Sequence, residues 1–180
     1  MTIYDYSIKK RDWSIISMEE FKWKVLIIVN TATGCWFTPQ YEWLEYLYKK
    51  YHNKWLEILD FPCNQFGHQA PGDNDEIHQF CTSKYNTTFD QFAKIDVNWE
   101  TECSLFTYIK WKISEDEIKW LKNRTIMAWV KQISSTCKKK WDIIRNFTKF
   151  LVSKDWEVIK RYSPTYLPND IESDIINQLE

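Results

Sequence analysis

Apolar positions fall into two alternating periods along the chain. Val25 to Val29 form an unbroken apolar run and LEILDF at 56–61 a second, which predicts two strands buried on both faces. Between them Tyr41, Leu44, Leu47, Tyr48 and Tyr51 recur at helical spacing behind Pro39, a residue suited to a helix's first turn. After a polar loop, NDEIHQFC opens another helix, with Asn74 as its cap and Ile77, Phe80 and Cys81 on one face. FAKIDV at 92–97 reads as a third strand, and Glu102 to Lys112 as a helix turning Leu105, Phe106 and Ile109 inward. Residues 113–141 are charged, with weak helical spacing through Ile118, Leu121, Ile126, Val130 and Ile133, and read as an inserted surface element. TKFLVS and EVIKRY, joined by Lys154-Asp155-Trp156, make a β-hairpin, and PNDIESDIINQL supplies the closing helix.

A β-α-β unit followed by a hairpin and a last helix is the thioredoxin-like order. The expected fold is therefore α/β, a central mixed sheet flanked by helices. No repeat or linker interrupts it, and 180 residues at 44% apolar suit a single domain over 1–180 with a substantial core. MTIYDYSIKKRDW lacks the apolar block of a signal peptide and no apolar run is long enough to span a bilayer, so a soluble cytoplasmic protein is expected. A net charge of −1 argues against nucleic acid as a partner, and Lys138, Lys139, Lys140 and Arg145 beside Trp141 read as a solvated loop. Five cysteines without C-x-x-C or paired Cys/His spacing speak against a disulfide framework and a zinc site, which leaves free thiols. The triplets at Asn86, Asn123 and Asn146 match a glycosylation pattern that matters only in a secreted chain.

Glycine changes the picture. An average share predicts roughly 13 in a chain this long, yet there are 3 glycines and 11 tryptophans. Trp13, Trp99 and Trp156 each follow Asp or Asn between apolar segments, where Asp-Gly or Asn-Gly would make a type I′ turn. Trp55 stands where the Tyr41 helix should end in a left-handed residue. These tryptophans occupy glycine positions.

Cys35 follows a buried strand and precedes Pro39, so it lies at or just before a helix N-terminus. Free N–H groups and the helix dipole there favour an anion, which predicts a lowered thiol pKa and a reactive thiolate rather than a structural cysteine. Cys81, on the Ile77 and Phe80 face, reads from its own helix as a core residue.

In order and in register, VLIIVNTATGCWFTPQY, FPCNQFGHQ, FAKIDVN and NFTKFLV resemble the glutathione peroxidase family over nearly the whole chain, weakening through 111–141. The resemblance implies a peroxidase that reduces hydrogen peroxide and organic hydroperoxides, with no bound cofactor and an external thiol reductant, thioredoxin or glutathione. Cys35 stands where the family has its peroxidatic cysteine or selenocysteine, Gln69 matches the glutamine of FGHQ, and Asn146 the asparagine of WNFTKF. Donors fixed around that sulfur would favour charge developing on the leaving oxygen as the O–O bond breaks, with a cysteine sulfenic acid as product. FCTSKYNTTF matches the family's FCxxxYxxTF helix, which implies that Cys81 is a resolving thiol. Its disulfide with Cys35 would need local unwinding and would suit a thioredoxin-type dithiol, whereas direct reduction by glutathione needs no Cys81. Cys63 matches a common non-catalytic cysteine, and Cys103, Cys137, His52, His68 and His78 suggest no site.

The chain departs from the family at Asp90, where a proline is usual, at Arg145, where the family has tryptophan, and at Trp36, where it has glycine. A large ring at 36 would cover the sulfur. Trp13, Trp23, Trp36, Trp43, Trp55, Trp99 and Trp156 all fall where the family has glycine. One cause would explain the set: a bacterium that reads UGA as glycine and some CGN codons as tryptophan, its gene rendered with the wrong table. Two other readings stay open, a peroxide-sensing thiol relay that passes its disulfide to a partner protein, and a binding module disabled by Trp36 and Arg145. Longer family members use a segment placed like 113–141 for subunit contact, which favours a homo-oligomer.

Overall fold

The computed structural model describes residues 2–119, 121–133 and 138–180, with side chains at 121, 122, 129 and 131–133 left undescribed; Cys137 lies outside these residues. A short antiparallel ribbon comes first, β1 (Ser7–Lys9) and β2 (Ile15–Ser17). The main sheet follows, with β3 (Val25–Thr31) beside β4 (Leu56–Pro62) in parallel, and β5 (Lys149–Val152) and β6 (Val158–Tyr162) antiparallel on the other side, in the order β4-β3-β5-β6. Around it pack α1 (Gln40–Tyr51), α2 (Asn74–Tyr85), α3 (Ser104–Lys112), α4 (Leu121–Ile133) and α5 (Glu172–Leu179).

β3 is buried along its whole length because it is the second strand of four and both faces are covered. Strand alternation divides it: Leu26 and Ile28 join Phe61, Phe106 and Phe150 on one face, whereas Val25, Ile27 and Val29 join Tyr41, Leu44, Cys81, Phe147 and Ile175 on the other. α3 covers the first face, and α1, α2 and α5 the second. Residues 113–141 include α4, whose Ile126 is half exposed while Met127 is buried. None of the described helices is long and apolar enough to cross a membrane.

Two expected details differ. Residues 92–97 make no strand, only isolated bridges of Phe92 with Lys10 and of Gln91 with Asp60. Their backbone bonds are divided, Phe92 and Ile95 N–H to Asp60 and Pro62 on β4 but Ala93 N–H to Lys9 on β1, so no ladder with one neighbour forms. The cap of α2 is Asp73, which accepts from the N–H groups of Asp75 and Glu76 in a capping box with Glu76. Asn74 is drawn away by tertiary bonds, donating to the Arg11 carbonyl at 2.9 Å and accepting from Lys94 N–H at 3.0 Å.

The tryptophan turns are left-handed. Trp13, Trp23, Trp55, Trp99 and Trp156 have φ of 68°, 68°, 74°, 72° and 74°. Trp13 turns the β1–β2 hairpin, Trp156 the β5–β6 hairpin, and Trp55 closes the 3-10 turn that follows α1. Trp99 leads instead from the 92–97 segment toward α3, because that segment is no ladder strand. Trp36 and Trp43 lack a left-handed backbone.

Candidate active site

The polypeptide leaves β3 at Thr31 and makes a tight turn before α1. Cys35 sits in this turn, five residues ahead of Gln40, half-buried against the Tyr41 and Leu44 side of the core. Thr38 shapes the turn by accepting from Cys35 N–H at 3.0 Å and donating to the Ala32 carbonyl at 2.9 Å. Phe37 N–H points at the sulfur, at 3.4 Å. Burial nevertheless pushes the Cys35 thiol above its ordinary value, outweighing the Phe37 N–H, the Arg145 charge and the Trp36 N–H, each of which pulls it down. The expected net lowering is therefore not found: burial against the apolar side of the site outweighs the nearby N–H groups and charge.

Gln69 lies against the same turn, its carbonyl accepting from Gly34 N–H at 2.8 Å. Gly34 permits this approach, since a Cβ there would stand 3.2 Å from that oxygen. The Gln69 side-chain oxygen is buried without a partner. Asn146 is fully buried, held by Asn30 Nδ2 at 3.1 Å, and its own Nδ2 is unpartnered. The left-handed backbone of Phe147, whose N–H donates to the Asn30 carbonyl, fixes the direction of Asn146. Arg145 is close enough for its charge to act on Cys35, and its carbonyl accepts from Asn30 and Thr148. Trp36 does not cover the sulfur, because its ring is 90% exposed.

Cys81 is almost wholly buried on α2, with Gln91 Nε2 at 3.4 Å from its sulfur, and burial followed by the nearby Asp60 charge pushes its thiol up to about 12. Cys35 and Cys81 are both free thiols packed against one apolar cluster. Among the described residues no group of His, Cys, Asp or Glu is placed to hold a metal ion.

The family model described as "Glutathione peroxidase" matches residues 3–110. A "Glutathione peroxidase homolog" of Neisseria meningitidis serogroup B is 43% identical over 177 residues, covering 97% of this chain and 98% of the relative. The chain belongs to the glutathione peroxidase family. Within it, a "Glutathione peroxidase" of Lactococcus lactis is 42% identical over 175 residues (97% and 98% covered), and a "Hydroperoxy fatty acid reductase gpx1" of Synechocystis 38% over 174 (97% and 94%). The crystal structure titled "T. cruzi GPX1" superposes with a TM-score of 0.70 at 26% identity, covering 99% of this chain and 97% of that one. The family's thioredoxin-like fold is thus present, and the chain is an oxidoreductase of the peroxidase class.

Sequence reasoning missed several residues that hold the cysteine turn and its neighbours. Thr38 and Asn30 carry a legible signal, polar residues flanking a turn after an apolar strand. Lys149 does not. It is fully buried in β5, pushed down to about 7 by that burial, and donates to Gln40 Oε1 at 2.9 Å, which anchors the start of α1.

Proposed function

We propose that this enzyme reduces hydrogen peroxide and organic hydroperoxides through Cys35. The Cys35 thiolate attacks one peroxide oxygen, the O–O bond breaks, and the leaving oxygen takes a proton to become water or an alcohol. Cys35 is left as a sulfenic acid. What supports the reading is that Gln69 Oε1, on the residue packed against the cysteine turn, and Asn146 Nδ2 are both buried without a hydrogen-bond partner. Such groups are costly to bury idle and are suited to bind a polar substrate and its developing oxyanion, whichever way the Gln69 amide is turned. Arg145, in place of an indole, adds positive charge favouring the thiolate.

In the second stage the Cys81 thiol attacks the Cys35 sulfur, the S–O bond breaks, and water leaves as the disulfide forms. A thioredoxin-type dithiol then reduces it, in the cytoplasm where such reductants keep thiols reduced. Cys35→Ser should abolish peroxide consumption measured by stopped-flow. Cys81→Ser should keep the first turnover, accumulate sulfenic acid detectable by dimedone labelling, and turn over poorly with thioredoxin; normal thioredoxin-driven turnover would remove Cys81 from the mechanism and leave direct reduction by glutathione. Persistent mixed disulfides of Cys81→Ser with cellular proteins, alongside negligible peroxide removal by the unmodified enzyme, would favour the relay instead.

A further inference from the structure

Asp60 is a carboxylate on β4 with no exposure at all, flanked on the strand by Leu59 and Phe61. Thr31 Oγ1 from β3, Tyr41 OH from α1 at 2.9 Å and Gln91 Nε2 at 2.8 Å donate to it. The other titratable groups on this cluster are Cys81, whose sulfur meets Gln91 Nε2 and the Tyr41 hydroxyl, and His78, which meets Gln91. Among the described residues no lysine or arginine pairs with Asp60. We propose that Asp60 is a positioning residue of the resolving step, acting through Gln91 and Tyr41 to set how readily the Cys81 segment leaves the core. This rests on Cys81 as the resolving thiol.

The physical argument is one of release. Cys81 is 1% exposed, so it reaches the Cys35 sulfur only if α2 opens locally. Opening admits water to Asp60 and relieves a charge that three neutral donors only partly compensate. An ionised Asp60 therefore favours the open segment, and a neutral one holds it shut. Burial pushes the Asp60 carboxyl up to about 6, so its charge changes in a mildly acidic range. Rapid-quench mass spectrometry across neutral and mildly acidic pH resolves Cys35 sulfenic acid from the Cys35–Cys81 disulfide. Asp60→Asn should leave sulfenic acid formation unchanged, slow disulfide formation several-fold at neutral pH, and remove the added inflection that the unmodified enzyme shows at about pH 6 on top of the pH dependence of the Cys81 thiol itself. Gln91→Leu, which keeps the charge and removes one donor, should speed disulfide formation. Unchanged rates and pH profile in Asp60→Asn would overturn this inference alone; absence of the disulfide from the unmodified enzyme would overturn it together with the role of Cys81.

Trp13, Trp23, Trp55, Trp99 and Trp156 account for five of the eight non-glycine residues with positive φ among the described residues. That conformation crowds a Cβ against the backbone and is a rarity for bulky residues, while glycine enters it freely. Trp13, Trp23 and Trp55 are largely exposed, and Trp156, although it packs against Tyr4 and Trp23, buries its indole N–H without an acceptor. We infer that these five positions are glycine in the protein its own host makes, through a codon that host reads as glycine. Trp36, beside Cys35, would share it. Peptide mass spectrometry of the protein purified from its host should find glycine at all five; tryptophan there overturns the inference. Independently of the host, each Trp→Gly change at these positions should raise Tm, by about 2–4 °C per kcal/mol of relieved strain, whereas Trp111→Gly on the exposed surface of α3 should lower it. Losses at the five positions like that of the α3 control would overturn the glycine assignment of those backbones.

Discussion

At the scale of single residues, the cysteine turn is held by one hydroxyl. Thr38 accepts from Cys35 N–H and donates to the Ala32 carbonyl, so the isosteric Thr38→Val leaves both backbone groups without that partner. Stability should fall by about 2 kcal/mol, the scale of such orphaned groups, read from urea unfolding. The rate of peroxide reaction should fall as the Phe37 N–H loses its aim at the sulfur. Part of this site was legible beforehand: a lone cysteine after an apolar strand announces a turn, and the motif resemblance pointed to Gln69, which packs against that turn. The sign of the Cys35 shift was not legible. Proximity to a helix start is visible in sequence, whereas the apolar cluster that half buries the thiol joins Tyr41 and Leu44 of the next helix to Phe147 from the far end of the chain.

Helices and strands show the same division between local and tertiary causes. The buried strands, α1 and the final hairpin were written in local periodicity, and the structure follows them within a residue or two. The segment 92–97 has strand composition but divides its bonds between two neighbours, which no local pattern reveals. On α2 the sequence pattern pointed to Asn74 as the cap, but long-range bonds to Arg11 and Lys94 hold that side chain and Asp73 caps the helix instead. Asp73→Ala should cost about 1 kcal/mol and weaken amide-exchange protection in the first turn of α2. Asn74→Ala should instead raise exchange at Lys94, whose N–H it accepts.

For the molecule as a whole, the buried Asp60 sets a pH dependence. An ordinary Asp carboxyl titrates at 3.8 and this one at about 6 in the folded protein, so the folded state holds the proton more tightly. Its contribution is complete below pH 3.8 and is lost as pH rises through about 6. Asp60→Asn should therefore be the more stable protein at neutral pH, by as much as about 3 kcal/mol, and lose that advantage in acid; Tm measured against pH checks the crossing. The sheet's margins constrain association in another way. β4 is bordered by the Asp90–Ile95 segment, and β6 carries Glu117, which exchanges backbone hydrogen bonds with Arg161 and Ser163. The Asp90–Ile95 segment thus lies along β4 and Glu117 closes the Arg161 end of β6, so a second copy could not continue the sheet at those places. A pairing of subunits at these margins must rest on side chains meeting side chains, and so should respond to salt and to surface substitutions while leaving amide exchange at Asp60 and Ser163 untouched.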